Sequence, residues 1–162
     1  MMKMSTRVRY GLRAAVELAL RGAWRGSPGR PVPLTEVVKR QRIPEPYLRQ
    51  IFFSLRRSKL LEAVMGKGGG YRLSREPGKI TVYDILRGLG EEVAPVPCLL
   101  NGRQCEMRPT CPTHPLWVRM AEMLKVSMQQ TTVEALSTHC PGRGRLEKAG
   151  ARGRGPDLEA SR

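Results

Sequence analysis

The chain has 162 residues, with 29 Lys and Arg against 14 Asp and Glu, a net charge of +15. That length suits one ordinary domain with a modest core and an added segment. The apolar run from Leu12 to Leu20 is broken by Arg13 and Glu17 and is too short to cross a bilayer, so it is neither a membrane span nor a secretory leader. The expected compartment is the cytosol, where four cysteines serve more readily as metal ligands than as a disulfide framework.

Residues 1–90 hold 19 Lys and Arg against 6 Asp and Glu, a net +13, while residues 91–141 carry −1 and residues 142–162 carry +3. An excess gathered on the N-terminal part is what a polyanion-binding surface requires. The plainer reading is a solvated basic face.

Ser5 to Leu20 reads as a helix, with Ser5 or Thr6 as cap and Val8, Leu12, Ala15, Val16 and Ala19 as its apolar face. Gly22 to Pro33 is rich in Gly, Pro and Arg and reads as a loop. A short helix then runs to about Arg40, with Thr35 as the expected cap. Ile43 to Pro46 is a turn, and Pro46 suits the first position of the next helix, which reaches about Lys59. That helix has an apolar stripe of Leu48, Ile51, Phe52 and Leu55 and an outer face of Arg49, Gln50, Arg56 and Arg57. Two short helices joined by a tight turn, the second bearing exposed Arg and Gln, form a helix-turn-helix.

Leu60 to Met65 and Tyr71 to Leu73 flank Gly66-Lys67-Gly68-Gly69-Gly70, the pattern of a β-hairpin wing. A phosphate loop is excluded there, because Lys67 is followed by Gly68 rather than Ser or Thr and no helix opens. Another helix is predicted over Thr81 to Leu89. A long amphipathic helix follows from about Pro112 to Leu136, with Leu116, Met120, Met123, Leu124 and Met128 on one side. The methionines suit packing better than copper ligation, and a helix with so little of its own chain to cover it suits a dimer seam. Pro141 to Arg162 offers little to bury and reads as a disordered basic tail.

Between these helices, Cys98, Cys105, Cys111 and His114 fall in the pattern C-x6-C-x5-C-x2-H. Three thiolates and one imidazole make a complete ligand set for a thiophilic metal or an iron–sulfur cluster. Zinc would accept the same donors, although zinc fingers space their cysteines more closely. The loop from Glu91 to Cys111 is long enough to require such a reason. No nucleophile–base pair, paired carboxylates or phosphate loop is present, so catalysis is not expected.

Four stretches together resemble the Rrf2 family of bacterial winged-helix regulators, and within it the branch of iron–sulfur cluster regulators. They are Met4-Ser5-Thr6-Arg7-Val8-Arg9-Tyr10-Gly11-Leu12-Arg13-Ala14, Pro46-Tyr47-Leu48-Arg49-Gln50-Ile51-Phe52, Gly66-Lys67-Gly68-Gly69-Gly70-Tyr71-Arg72-Leu73 and Cys111-Pro112-Thr113-His114-Pro115-Leu116-Trp117. The similarity covers roughly residues 2–137. It implies a homodimer that binds palindromic double-stranded DNA, and a 2Fe–2S cluster held by Cys98, Cys105, Cys111 and His114. The implied function is a regulator sensing iron–sulfur status, redox state or nitric oxide. The chain departs from that branch at Arg49, where an acidic residue is usual, at Met65, where an arginine is usual, and in a first cysteine gap longer by one residue. Cys140 has no counterpart in the pattern.

The expected architecture is therefore mainly α with a small β-hairpin wing. Residues 1–90 form a winged helix-turn-helix, 91–136 the ligand loop and dimerisation helix, and 137–162 the tail. Arg49 and Gln50 are expected to read base edges. Arg56, Arg57, Lys67 and Arg72 are expected on the DNA backbone, with Gly68, Gly69 and Tyr71 of the wing beside them.

Overall fold

The computed structural model describes residues 4–92, 94–100 and 105–139. Cys140 and the predicted tail lie outside the described residues. The elements are α1 (Thr6–Leu20), α2 (Leu34–Gln41), α3 (Glu45–Arg57), β1 (Leu61–Val64), β2 (Gly70–Leu73), α4 (Val82–Gly88), α5 (His114–Gln130) and α6 (Val133–Thr138). This is the expected helical fold with one antiparallel hairpin.

Ser5 caps α1, its Oγ accepting from the Val8 N–H at 3.2 Å. The helix buries Val8, Ala14, Ala15, Leu18 and Ala19, whereas Leu12 and Val16 lie half-buried at the rim. Small residues let neighbours close in: a Cβ on Gly11 would stand 2.7 Å from Leu89 Cδ1. The helix also buries a charge. Glu17 is 5% exposed and is satisfied by Arg21 Nε at 3.2 Å and Gln41 Nε2 at 2.9 Å, with Arg40 Nε at 3.6 Å. That cluster ties the end of α1 to the end of α2.

Helix α2 starts one residue before the expected cap. Pro33 holds the N-cap position, no side chain bonds there, and Thr35 is an exposed residue of the first turn. Proline suffices because its fixed φ aims the chain into the helix. Arg42 then adopts a left-handed φ of 51°, which ends α2 and reverses the chain. Pro46 is the second residue of α3, still within the turn whose N–H groups lack helical acceptors. Leu48, Ile51, Phe52 and Leu55 are each fully buried, as the stripe predicted.

The hairpin pairs Leu61 with Leu73, Glu62 with Arg72, Ala63 with Tyr71 and Val64 with Gly70. Its tip uses Gly66 at φ 98° and Gly68 at φ 81°, values that side-chain-bearing residues rarely take. The Gly22–Pro33 stretch is more than a loop. Trp24 bridges Leu73 and Val32 bridges Tyr71, with Val32 and Tyr71 exchanging N–H···O bonds of 2.9 and 2.8 Å.

The predicted single helix from Pro112 to Leu136 is two helices. Thr131 and Thr132 leave the helical region, with Thr132 at φ −94°, ψ 161°. Thr132 bridges Thr81, the Val133 N–H donates to Ile80 O at 2.8 Å, and the Val82 N–H donates to Thr131 O at 2.9 Å. Two adjacent β-branched residues favour extended backbone, and Thr132 Oγ1 caps α6 by accepting from the Ala135 N–H at 3.1 Å. The short helix then packs on α1 and buries Val133 completely.

Candidate DNA-reading face and ligand loop

Helix α3 turns Leu48, Ile51, Phe52 and Leu55 inward, so residues 49, 50, 53, 56 and 57 share its outer side. Arg49 and Gln50 are exposed there, but Arg49 is engaged. Its Nη2 lies 2.5 Å and its Nε 3.1 Å from Glu45 Oε1. Arg56 is exposed, and Arg57 sets its guanidinium carbon 6.0 Å from the centre of the Phe53 ring. The sequence pattern passed over Phe53, a large apolar side chain that is 61% exposed on this cationic face.

The helix is braced from behind. Arg7 Nη2 donates to Ser54 Oγ at 2.6 Å, and Ser54 Oγ donates to Gln50 O at 3.1 Å. Arg7 Nε is buried without a hydrogen-bond partner. The Arg7–Ser54 link has no sequence signal, since it depends on how α1 crosses α3, whereas the Ser54–Gln50 bond is local to α3.

On the wing, Lys67 and Gly68 are exposed at the tip, Gly69 is half-buried, and Met65 beside them is 90% exposed. Arg72 points across the hairpin to Glu62, Nε–Oε2 3.1 Å, and Glu62 also takes Arg25 Nη2 at 2.6 Å. Tyr71 turns the other way. Its ring meets Phe52 edge-on at 4.7 Å, which places it on the core side of the hairpin. The two side chains alternate across the strand, as a period of two requires.

The ligand loop lies between α4 and α5. Cys98 sits in a 3-10 turn, Pro97–Leu99, and Cys98, Cys105 and Cys111 are half-buried free thiols. Cys111 Sγ is 3.3 Å from Thr113 Oγ1. That hydrogen bond, with those from the Thr113 and His114 backbone, holds the Cys111 thiol below its ordinary pKa. His114 opens α5, its N–H donating to Cys111 O at 3.2 Å, and its Nε2 is buried with no hydrogen-bond partner. The structure thus puts Cys111 and His114 in one turn. Among the described residues, no three His, Cys, Asp or Glu side chains stand close enough to hold one metal. Residues 101–104, between Cys98 and Cys105, lie outside the described residues. The donor set nonetheless suits a soft metal centre, with one acidified thiol and one imidazole nitrogen that no protein group satisfies.

Helix α5 has no buried residue. Leu116, Val118, Met120, Met123 and Val126 are 52, 37, 38, 66 and 46% exposed, Leu124 is half-buried, and Met128 is half-buried against the core. Among the described residues no helix is long and apolar enough to cross a membrane.

A family model described as Rrf2, iron-dependent transcriptional regulator, matches residues 4–139. The HTH-type transcriptional regulator IscR of Xenorhabdus nematophila is 33% identical over 136 residues, 83% of this chain and 79% of that protein. IscR of Klebsiella pneumoniae is 33% identical over 135 residues, with the same coverage of 83% and 79%. Among solved structures, CymR, the global cysteine regulator of B. subtilis, matches with a TM-score of 0.68 at 32% identity, covering 86% of this chain and 98% of that one. T. potens IscR matches with a TM-score of 0.65 at 26% identity, covering 96% and 94%. The curated relatives are named as transcriptional regulators rather than as enzymes.

Proposed function

The chain belongs to the Rrf2 family of DNA-binding transcriptional regulators, and from that premise we propose that it senses iron–sulfur status, redox state or nitric oxide through a 2Fe–2S cluster and reports it at palindromic promoter sites as a homodimer. The observation that carries the cofactor is His114 Nε2, buried without a hydrogen-bond partner one turn from an acidified Cys111 thiol. A buried imidazole nitrogen left unsatisfied is costly unless something else occupies it. Cys98, Cys105, Cys111 and His114 would hold the cluster. When bound, it supplies a redox-active and nitric-oxide-reactive centre whose presence depends on cellular iron and sulfide.

The DNA reading rests on charge and placement. Residues 1–90 carry a net +13, and α3 presents Arg49 and Gln50 for base edges while Arg56, Arg57, Lys67 and Arg72 reach the phosphates. Gly68 and Gly69 allow close backbone approach at the wing tip, and Tyr71 supports the hairpin from its inner side. The second copy would cover the apolar side of α5, which its own chain leaves exposed. The working units are residues 1–90 for DNA and 91–136 for ligand and assembly.

A second reading follows from Cys111 itself: a cluster-free regulator with a redox-active thiol, or one stabilised by zinc. One solved relative is the oxidised form of Staphylococcus aureus CymR. Protein purified without oxygen distinguishes the readings. A 2Fe–2S centre gives red-brown protein with about two irons and two sulfides per chain. Colourless protein, whether free of metal or carrying one zinc per chain, overturns the cluster.

A further inference from the structure

We propose that Phe53 is a specificity-determining residue that reads the 5-methyl group of thymine in the major groove. The inference rests on the DNA-binding reading of α3 given above.

Phe53 has no role in the core. The residues beside it, Ile51 and Phe52, are fully buried and fill the inner side of α3, while Phe53 is 61% exposed on the other side. An isolated exposed apolar residue often means nothing. Here the surroundings decide. On a helix, residues three and four apart are neighbours, and those of Phe53 are Arg49 and Gln50 before it and Arg56 and Arg57 after it. A ring inside three guanidinium groups is poorly placed for a seam between copies of the chain, which would bring like charges together. It is well placed against a polyanion. Arg57 already lies 6.0 Å over the ring, and the side chain remains largely exposed beside it.

Phenylalanine has no donor or acceptor, so it cannot read the hydrogen-bonding edge of a base. The apolar group that an unmodified duplex presents in the major groove is the thymine methyl. Phe53 lies four residues beyond Arg49, about 6 Å along the helix. That rise spans between one and two base steps of roughly 3.4 Å, so the thymine read by Phe53 neighbours the bases read by Arg49 and Gln50.

The test uses the full-length protein. A preferred duplex is selected from a random pool, and each thymine is replaced singly by deoxyuridine, which removes only the methyl. Wild-type protein is expected to lose roughly three- to fivefold in affinity at one thymine of each half-site, the loss associated with one buried carbon group, and nothing at the others. Phe53→Ala is expected to bind the thymine duplex as wild type binds the uracil one, with no further loss on uracil. Phe53→Leu, which keeps an apolar tip, is expected to retain part of the discrimination. Because the side chain is exposed, its removal should leave thermal unfolding unchanged. The proposal is overturned if wild type ignores every replacement. It is equally overturned if Phe53→Ala weakens both duplexes alike yet keeps the preference for thymine, since the ring would then only position Arg57. Selection that enriches no duplex at all overturns the DNA-binding reading itself, and this proposal with it.

Discussion

Arg49 is held by Glu45 one helical turn before it, through two contacts to a single carboxylate oxygen at 2.5 and 3.1 Å. The two side chains are 64% and 38% exposed, so the pair contributes little to stability, roughly 0.2–1 kcal/mol. Its effect is orientation, because the engaged Oε1 of Glu45 fixes where the guanidinium fork points. Arg49→Ala is predicted to cost roughly 1–3 kcal/mol at the preferred duplex and to relax preference there. Glu45→Ala should keep the preference and weaken it, with an unchanged melting temperature. Competition binding against single-base variants measures both, and an intact preference in Arg49→Ala would remove α3 as the reading helix.

The two wing cations should behave differently. Lys67 stands free at the tip, while Arg72 is bound to Glu62. Lys67→Ala should weaken all duplexes alike and reduce the salt slope by roughly one. Arg72→Ala should do less, and Glu62→Gln should raise affinity by releasing both Arg72 and Arg25. A salt titration of each variant on one duplex checks the ranking. Equal slopes for Lys67→Ala and wild type would place the wing tip off the phosphates.

The exposed apolar side of α5 predicts assembly. Met120→Glu combined with Leu124→Glu should give a monomer that binds DNA poorly, since two recognition helices must sit about one helical turn of DNA apart. Sedimentation equilibrium reads the mass. A stable wild-type monomer at micromolar concentration would refute the seam.

Cys111 supplies a pH prediction. Hydrogen bonds from Thr113 and the backbone favour its thiolate, so its folded pKa lies below the ordinary thiol value. Alkylation of apo protein by iodoacetamide should therefore reach half-maximal rate at a lower pH for Cys111 than for an ordinary exposed thiol. Thr113→Val should move that midpoint upward. A midpoint unmoved by Thr113→Val would mean that the side-chain bond does not govern the thiol.

The winged helix was legible because its signals are periodic or local. The stripe of Leu48, Ile51, Phe52 and Leu55 and the glycines at 66 and 68 need no tertiary knowledge. What the sequence hid is long-range. Trp24 and Val32 join the wing as single bridging residues inside a Gly- and Pro-rich stretch, and the break at Thr131 interrupts no hydrophobic pattern. Glu17, a charge that breaks the apolar run of α1, is buried because Arg21, Arg40 and Gln41 converge on it only after folding. Of the ligand set, spacing identified the donors, while the orphaned Nε2 of His114 is visible only in three dimensions.

Ligand and DNA binding should also be coupled. Holding Cys98 to His114 on one centre restrains the segments on either side of it. Holo and apo protein should then differ at a given operator by roughly 5–150-fold, the usual range of such linkage. Titration of both forms at one salt concentration decides this. Identical affinities on every promoter tested would leave the cluster a purely structural role.

The bridge between Thr81 and Thr132 gives that coupling a mechanical form. Helix α5 is fastened at its C-terminal end, where Thr132 and α6 grip the DNA-binding unit, and its other end carries His114. Its 17 residues make a stiff arm of about 25 Å. A swing of only about 5° at the Thr131 pivot carries the far end through roughly 2 Å. Conversely, fixing His114 dictates the angle at which the arm leaves its pivot. In the proposed symmetric pair the two arms would lie against each other, so that angle would set the distance between the recognition helices.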